Sequence, residues 1–230
     1  VSTDKPIPLR QRNAVNLRLA VVDMVKDRLR ETTLDNIVIK PMCKELGIAT
    51  ATFFNHFPQK TDILIYFIEL WTARLEFEAL EKTGGVKGTL LIEAMFSLLA
   101  DDIAEHPRLM LEIIAFIARA DSRPSGPQVS AVDLQLAWPN LIGIADRASK
   151  ELGEVLRENI EVAFEREVKP VAKTNAAMKK LDSENKRRLF ESLVSLFYGY
   201  PLAAKVIGIE NISGGIHSQI QLLWRAFDVE

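Results

Sequence analysis

Apolar residues recur at helical spacing along nearly the whole chain, and no segment alternates apolar with polar residues as a half-buried strand would, so the pattern predicts an all-α protein. Leu17, Ala20, Val21, Met24, Val25 and Leu29 form the stripe of a first helix that ends near Glu31-Thr32-Thr33. A short second helix is expected from Lys40 to Leu46, with Pro41 in its first turn, where a missing amide hydrogen costs little. Gly47 marks a tight turn, a third helix runs from Thr50 to His56, and Pro58 closes the unit. From Thr61, which suits an N-cap, a long fourth helix carries Ile63, Leu64, Phe67, Ile68, Trp71 and Leu75 on one side.

Gly84-Gly85 ends that helix. Further helices are expected over Leu90–Glu105, Arg108–Arg119, from Val132 to a break at Pro139, and over 152–168, with residues 121–130 as the clearest loop. Residues 169–182, with Pro170 and four lysines, read as a solvated connection. A helix starting near Asp182-Ser183 carries Leu189, Phe190, Leu193, Val194, Phe197 and Tyr198 and is expected to kink at Pro201. The last one carries Ile216, Ile220, Leu223, Trp224 and Phe227 after a break at Ser213-Gly214-Gly215. No repeat of solenoid period is present. The division expected is a head of residues 1–60 and a larger helical body of residues 61–230.

Composition narrows the classes. A chain of 230 residues with 48% hydrophobic content can bury a sizeable core. Its single cysteine, Cys43, precludes an internal disulfide and fits a reducing, cytoplasmic setting. The opening residues lack the apolar core of a signal peptide, and the most apolar segments, Leu90–Ala100 and Leu109–Ala118, fall short of a bilayer span, so no membrane role is expected. Charge is divided unevenly: residues 1–62 carry ten Lys and Arg against seven Asp and Glu, +3, and the rest carries 19 against 24, −5. A basic head on an acidic body is the asymmetry expected when only the head meets phosphate.

Residues 42–60, MCKELGIATATFFNHFPQK, carry the most chemistry. Met42, Cys43 and Leu46 suit the inner face of one helix, and Ile48, Phe53 and Phe57 that of the next, crossing at Gly47. Thr50, Ala51, Phe54 and Asn55 then fall on the opposite face, compact enough to enter a major groove. The Asn55 amide pairs a donor with an acceptor as adenine requires, Thr50 can bond a base or touch a thymine methyl, and Lys40 can reach a guanine edge or a phosphate. Lys60, three residues beyond Phe57, is placed for a phosphate. Arg10 and Arg12 read as a basic tail rather than a minor-groove arm.

The run GIATATFFNHFPQK followed by TDIL strongly resembles the helix-turn-helix of the TetR family of regulators, over roughly residues 15–65. The family pattern is approximately A-G-V-S-x-x-T-x-Y-x-H-F-x-x-K, and Gly47, Thr52, His56, Phe57 and Lys60 fall on its characteristic positions. The resemblance implies a third helix that reads DNA, phosphate contacts from Thr52, His56 and Lys60, and base contacts from Lys40, Thr50 and Ala51. Ala49 stands where the family usually has a capping serine, which makes Thr50 the expected cap, and Phe54 replaces the usual tyrosine with its hydroxyl donor.

Beyond residue 65 the likeness is one of organisation. It implies a homodimer through the last two long helices, a palindromic double-stranded operator, and a small, largely apolar effector that releases a repressor from it. Phe67, Trp71, Phe96, Met110, Phe116 and Trp138 are the bulky side chains expected near such a pocket, although each equally suits plain core. No catalytic constellation, cofactor loop or metal set is expected, since His56, His106 and His217 share no ligand spacing and Cys43 has no visible histidine partner. The alternative on the residues alone is a helical protein-interaction module without DNA binding.

Overall fold

The computed structural model describes residues 6–119, 127–147, 150–166 and 176–228. Among these residues the chain is all-helical: α1 (Leu9–Leu29), α2 (Ile39–Glu45), α3 (Thr50–His56), α4 (Asp62–Lys82), α5 (Thr89–Glu105), α6 (Pro107–Arg119), α7 (Ala131–Ala137), α8 (Leu152–Arg166), α9 (Ala176–Ile207) and α10 (Ile212–Ala226), with 3-10 turns at Leu34–Asn36 and Ile144–Asp146. No described helix is long and apolar enough to cross a membrane.

Several boundaries differ from the sequence expectation. α1 begins eight residues before its first stripe residue: Pro8 stands at its N-cap, and the Arg12 amide donates to the Pro8 carbonyl at 3.0 Å. Arg10 and Arg12 are therefore exposed residues of the first helical turns, and no basic tail begins at Arg10. Part of the connection expected over 169–182 is helical, because α9 starts at Ala176; residues 167–175 lie outside the described residues. Charge in this stretch is what a helix surface carries, and near its N-terminal end Lys186 pairs with Asp182 four residues earlier, Arg187 with Glu184 and Glu191, and Arg188 with Glu184. Pro201 removes one backbone donor but does not end the helix, which continues to Ile207. α10 starts before its two glycines: the Asn211 side chain accepts the Gly214 amide at 2.9 Å and caps the helix.

The chain groups into two compact units, each built from two stretches: Val1–Arg74 with Arg108–Ser149, and Leu75–Pro107 with Lys150–Glu230. They follow contacts rather than a cut at residue 60, so α6 and α7 belong with the first three helices. In the first unit Val21, Val22, Val25 and Leu29 of α1, Met42 and Cys43 of α2, and Phe53 and Phe57 are buried with Ile63, Leu64 and Tyr66 of α4. A hydrogen-bonded cluster crosses this unit: Asp133 on α7 accepts from Arg18 on α1 and from the Tyr66 hydroxyl on α4, each at 2.5 Å, and from Ser130. Ser130 and Asp133 also form the capping box of α7.

The second unit is held by apolar stripes and two polar joints, one part-buried and one buried. α10 packs on α5 and α9, and α8 on α9 and α5. Glu93 of α5 accepts from Trp224 Nε1 at 2.6 Å and from Gln221 Nε2 at 3.0 Å, tying α10 down. Asn159 of α8, 1% exposed, accepts the Gly88 amide at 3.1 Å and donates to the Val155 carbonyl at 2.8 Å, fixing the chain just before α5.

Candidate nucleic-acid interface

The local sequence forces α2 and α3 to separate an inner face from an outer one. Gly47 sits at φ +66°, a left-handed conformation that favours glycine, and permits the turn. Met42, Cys43, Phe53 and Phe57 are at most 2% exposed, and the Phe53 and Phe57 rings lie 5.9 Å apart, with Tyr66 edge-on to Phe57 at 5.8 Å. That inner face fixes the orientation of α3. Lys40, Thr50, Ala51, Phe54 and Asn55 are exposed, while Thr52 and His56 are half-buried beside them.

Thr50 is not the cap of α3. Ala49 occupies that position without a side-chain bond, and Thr50 is the first helical residue, so no cap hydrogen bond ties up its hydroxyl. Phe54 is 44% exposed, and its ring stands edge-on to Phe53 at 5.2 Å, which steadies an aromatic surface beside Asn55.

Two of the side chains matched to phosphate positions have additional partners or surroundings. Lys60 Nζ donates to the backbone carbonyls of Asp35, at 2.9 Å, and Ile37, at 3.2 Å, so two of its three N–H donors bind the chain itself. It braces the entry to α2. His56 is held below the ordinary histidine value, first by burial and then by the positive charge of Arg18, which favours a neutral ring at pH 7. Of the ionic contacts around the head, Arg28 of α1 meets Glu45 of α2 at 2.5 Å.

The Asp133 cluster was not foreseen. Burial by itself raises the Asp133 carboxyl, but the bonds from Ser130, Tyr66 and Arg18 outweigh it and hold the group below the usual carboxylate range. Burial and the bond to Asp133 push the Tyr66 phenol up. The signal that could have found its local half is Ser130-Ala-Val-Asp133 ahead of Leu134, a capping-box spacing. Nothing local marks Arg18 and Tyr66 as its partners.

The six residues expected near an effector have the following local surroundings. Phe67 and Trp71 stack on α4 at 6.3 Å, and Lys26 Nζ lies 5.6 Å from the Phe67 ring. Met110 is buried on α6, Phe116 is half-buried on the same helix, and the Arg74 guanidinium lies 5.3 Å from the Trp138 ring. Phe96 belongs to the other compact unit, edge-on to Phe197 at 5.8 Å. Glu69, which accepts the Val129 amide at 3.2 Å, has its carboxyl raised by burial. No protein-family model matches this chain, and comparison with curated proteins and with solved structures gives no significant match.

Proposed function

We propose that the chain is a sequence-specific DNA-binding transcriptional regulator of the TetR type, acting as a repressor that a small, largely apolar effector releases from a palindromic operator. The observation that carries this reading is the two-sided third helix. Phe53 and Phe57 are buried and lock it in place, while Thr50, Ala51, Phe54 and Asn55 stand exposed together, with Lys40 exposed at the start of the preceding helix. Such a face offers hydrogen-bonding and methyl-reading groups on a rigid base, as major-groove readout requires. The basic balance of residues 1–62 supports contact with phosphate.

A homodimer through α9 and α10 belongs to the same reading. Leu202, Val206 and Ile207 of α9 and Leu222 of α10 are each at least 50% exposed, an apolar surface that a second copy would cover. Two recognition helices across a twofold axis would then fit half-sites in successive major grooves, and an effector would act by favouring the separation that does not fit.

The test is selection of bound duplexes from a random pool with the full chain at moderate salt. A palindrome is expected. Lys40→Ala and Asn55→Ala should then relax preference at particular base pairs, each by about 1–3 kcal/mol. Salt-sensitive binding without a motif, or no binding in the presence and absence of candidate effectors, would instead favour a protein-interaction module.

A further inference from the structure

The 3-10 turn Leu34–Asn36 joins α1 to α2, and α2 begins three residues after it. Three residues cannot fix a conformation by their own hydrogen bonds, and Thr33 at the N-cap supplies no side-chain bond. The first amide of the turn, that of Leu34, is on a residue 2% exposed and needs a partner from elsewhere. Glu112 Oε2, in the middle of α6, accepts it at 3.3 Å. At the end of α6, Arg119 Nη1 donates to Asp35 Oδ2 at 3.1 Å. Glu112 and Arg119 are seven residues apart, two helical turns, and so project from one face of α6. On its other side the turn is gripped by Lys60 through the carbonyls of Asp35 and Ile37.

We propose that Glu112 and Arg119, both outside the helix-turn-helix, are positioning residues for DNA reading. By capping and holding Leu34–Asn36 they set the place from which α2 departs and, through the packing of α2 on α3, the aim of Thr50, Ala51, Phe54 and Asn55. Side chains that bond base edges must be held to within about 0.5 Å, so a loosened turn costs affinity although neither residue touches DNA. The proposal rests on the DNA-reading assignment and adds a support to it that lies some fifty residues beyond the motif in sequence.

The experiment uses the full chain and the duplex recovered by selection. Glu112→Met removes the acceptor, and Glu112→Gln keeps one. Glu112→Met is expected to weaken specific binding about tenfold, the size of one hydrogen bond to a charged group, with the slope of log affinity against log salt unchanged. Glu112→Gln should recover most of the loss, and exchange of the Leu34 amide should speed up in Glu112→Met alone. Arg119→Asp and Asp35→Arg, at exposed positions that leave the core intact, should each weaken binding about threefold and restore it when combined; this pair carries the test if Glu112→Met does not fold. Binding by Glu112→Met as tight as the original chain, or a salt slope flatter by about one, would overturn the positioning role while leaving DNA reading intact. If the original chain binds no duplex, the DNA reading itself falls and the positioning role with it, whatever the Leu34 amide shows.

Discussion

His56 is a histidine whose neighbours argue against a charge. Burial and the Arg18 guanidinium both depress its pKa below 6.5, so the folded chain releases a proton that the unfolded chain keeps. The associated stability is complete above pH 6.5 and is lost as pH falls through the folded value. An NMR titration of the ring should therefore give a midpoint below 6.5, and Arg18→Met should move it upward; a midpoint at or above 6.5 in the original chain would sink this account. On the proposed reading, a neutral His56 would meet phosphate through a hydrogen bond, and its charge would contribute only in acid. The outward places of Thr50 and Asn55 were legible in the sequence because helix periodicity decides them once Phe53 and Phe57 are inside. The engagement of Lys60 was not, since its partners are backbone carbonyls whose approach depends on tertiary packing.

At the scale of elements, α1, α4 and α7 are joined by one carboxylate. Asp133 is fully buried, and its partner Arg18 is only slightly exposed, so Asp133→Ala leaves a guanidinium and a phenol without their acceptor and should destabilise the chain by about 3 kcal/mol in urea unfolding. Because the folded carboxyl is held below its ordinary 3.8, this contribution persists above that pH and disappears as pH falls through the lower folded value. A loss below about 1 kcal/mol at pH 7 would show that water replaces the acceptor. In the other unit, α9 and α10 meet where the Tyr200 hydroxyl occupies the space beside Gly215: a Cβ there would lie 1.7 Å from its oxygen. Gly215→Ala should thus lower the thermal midpoint, and Tyr200→Phe, which removes that oxygen, should restore part of the loss; equal midpoints for Gly215→Ala and the original chain would mean the tyrosine swings aside freely. Helix existence and type were readable throughout from apolar spacing, and α3 to the residue. The start of α9 was misread because lysine-rich sequence suits a solvated helix as well as a connection, and the start of α10 because Asn211 caps ahead of two glycines that look like a break.

For the molecule as a whole, the proposed pairing through α9 and α10 makes a direct demand. Leu222 is 56% exposed, and Leu222→Glu should convert a dimer to a monomer in sedimentation velocity without lowering the thermal midpoint of the isolated chain; an unaltered dimer would place the interface elsewhere. The first compact unit also has a composition that periodicity could not disclose, since stripes on α1, α6 and α7 say which face is buried but not against what. Arg18 and Asp133 are 115 residues apart, and Leu34 and Glu112 are 78. A fragment ending at residue 66 should accordingly fail to give a cooperative melt, because it holds the whole recognition sequence but none of the acceptors on α6 and α7. During synthesis, the residues that would read DNA precede Glu112 and Asp133, and stay unfinished until those acceptors have been made. On the proposed function, a product truncated in that interval would be unable to compete for an operator.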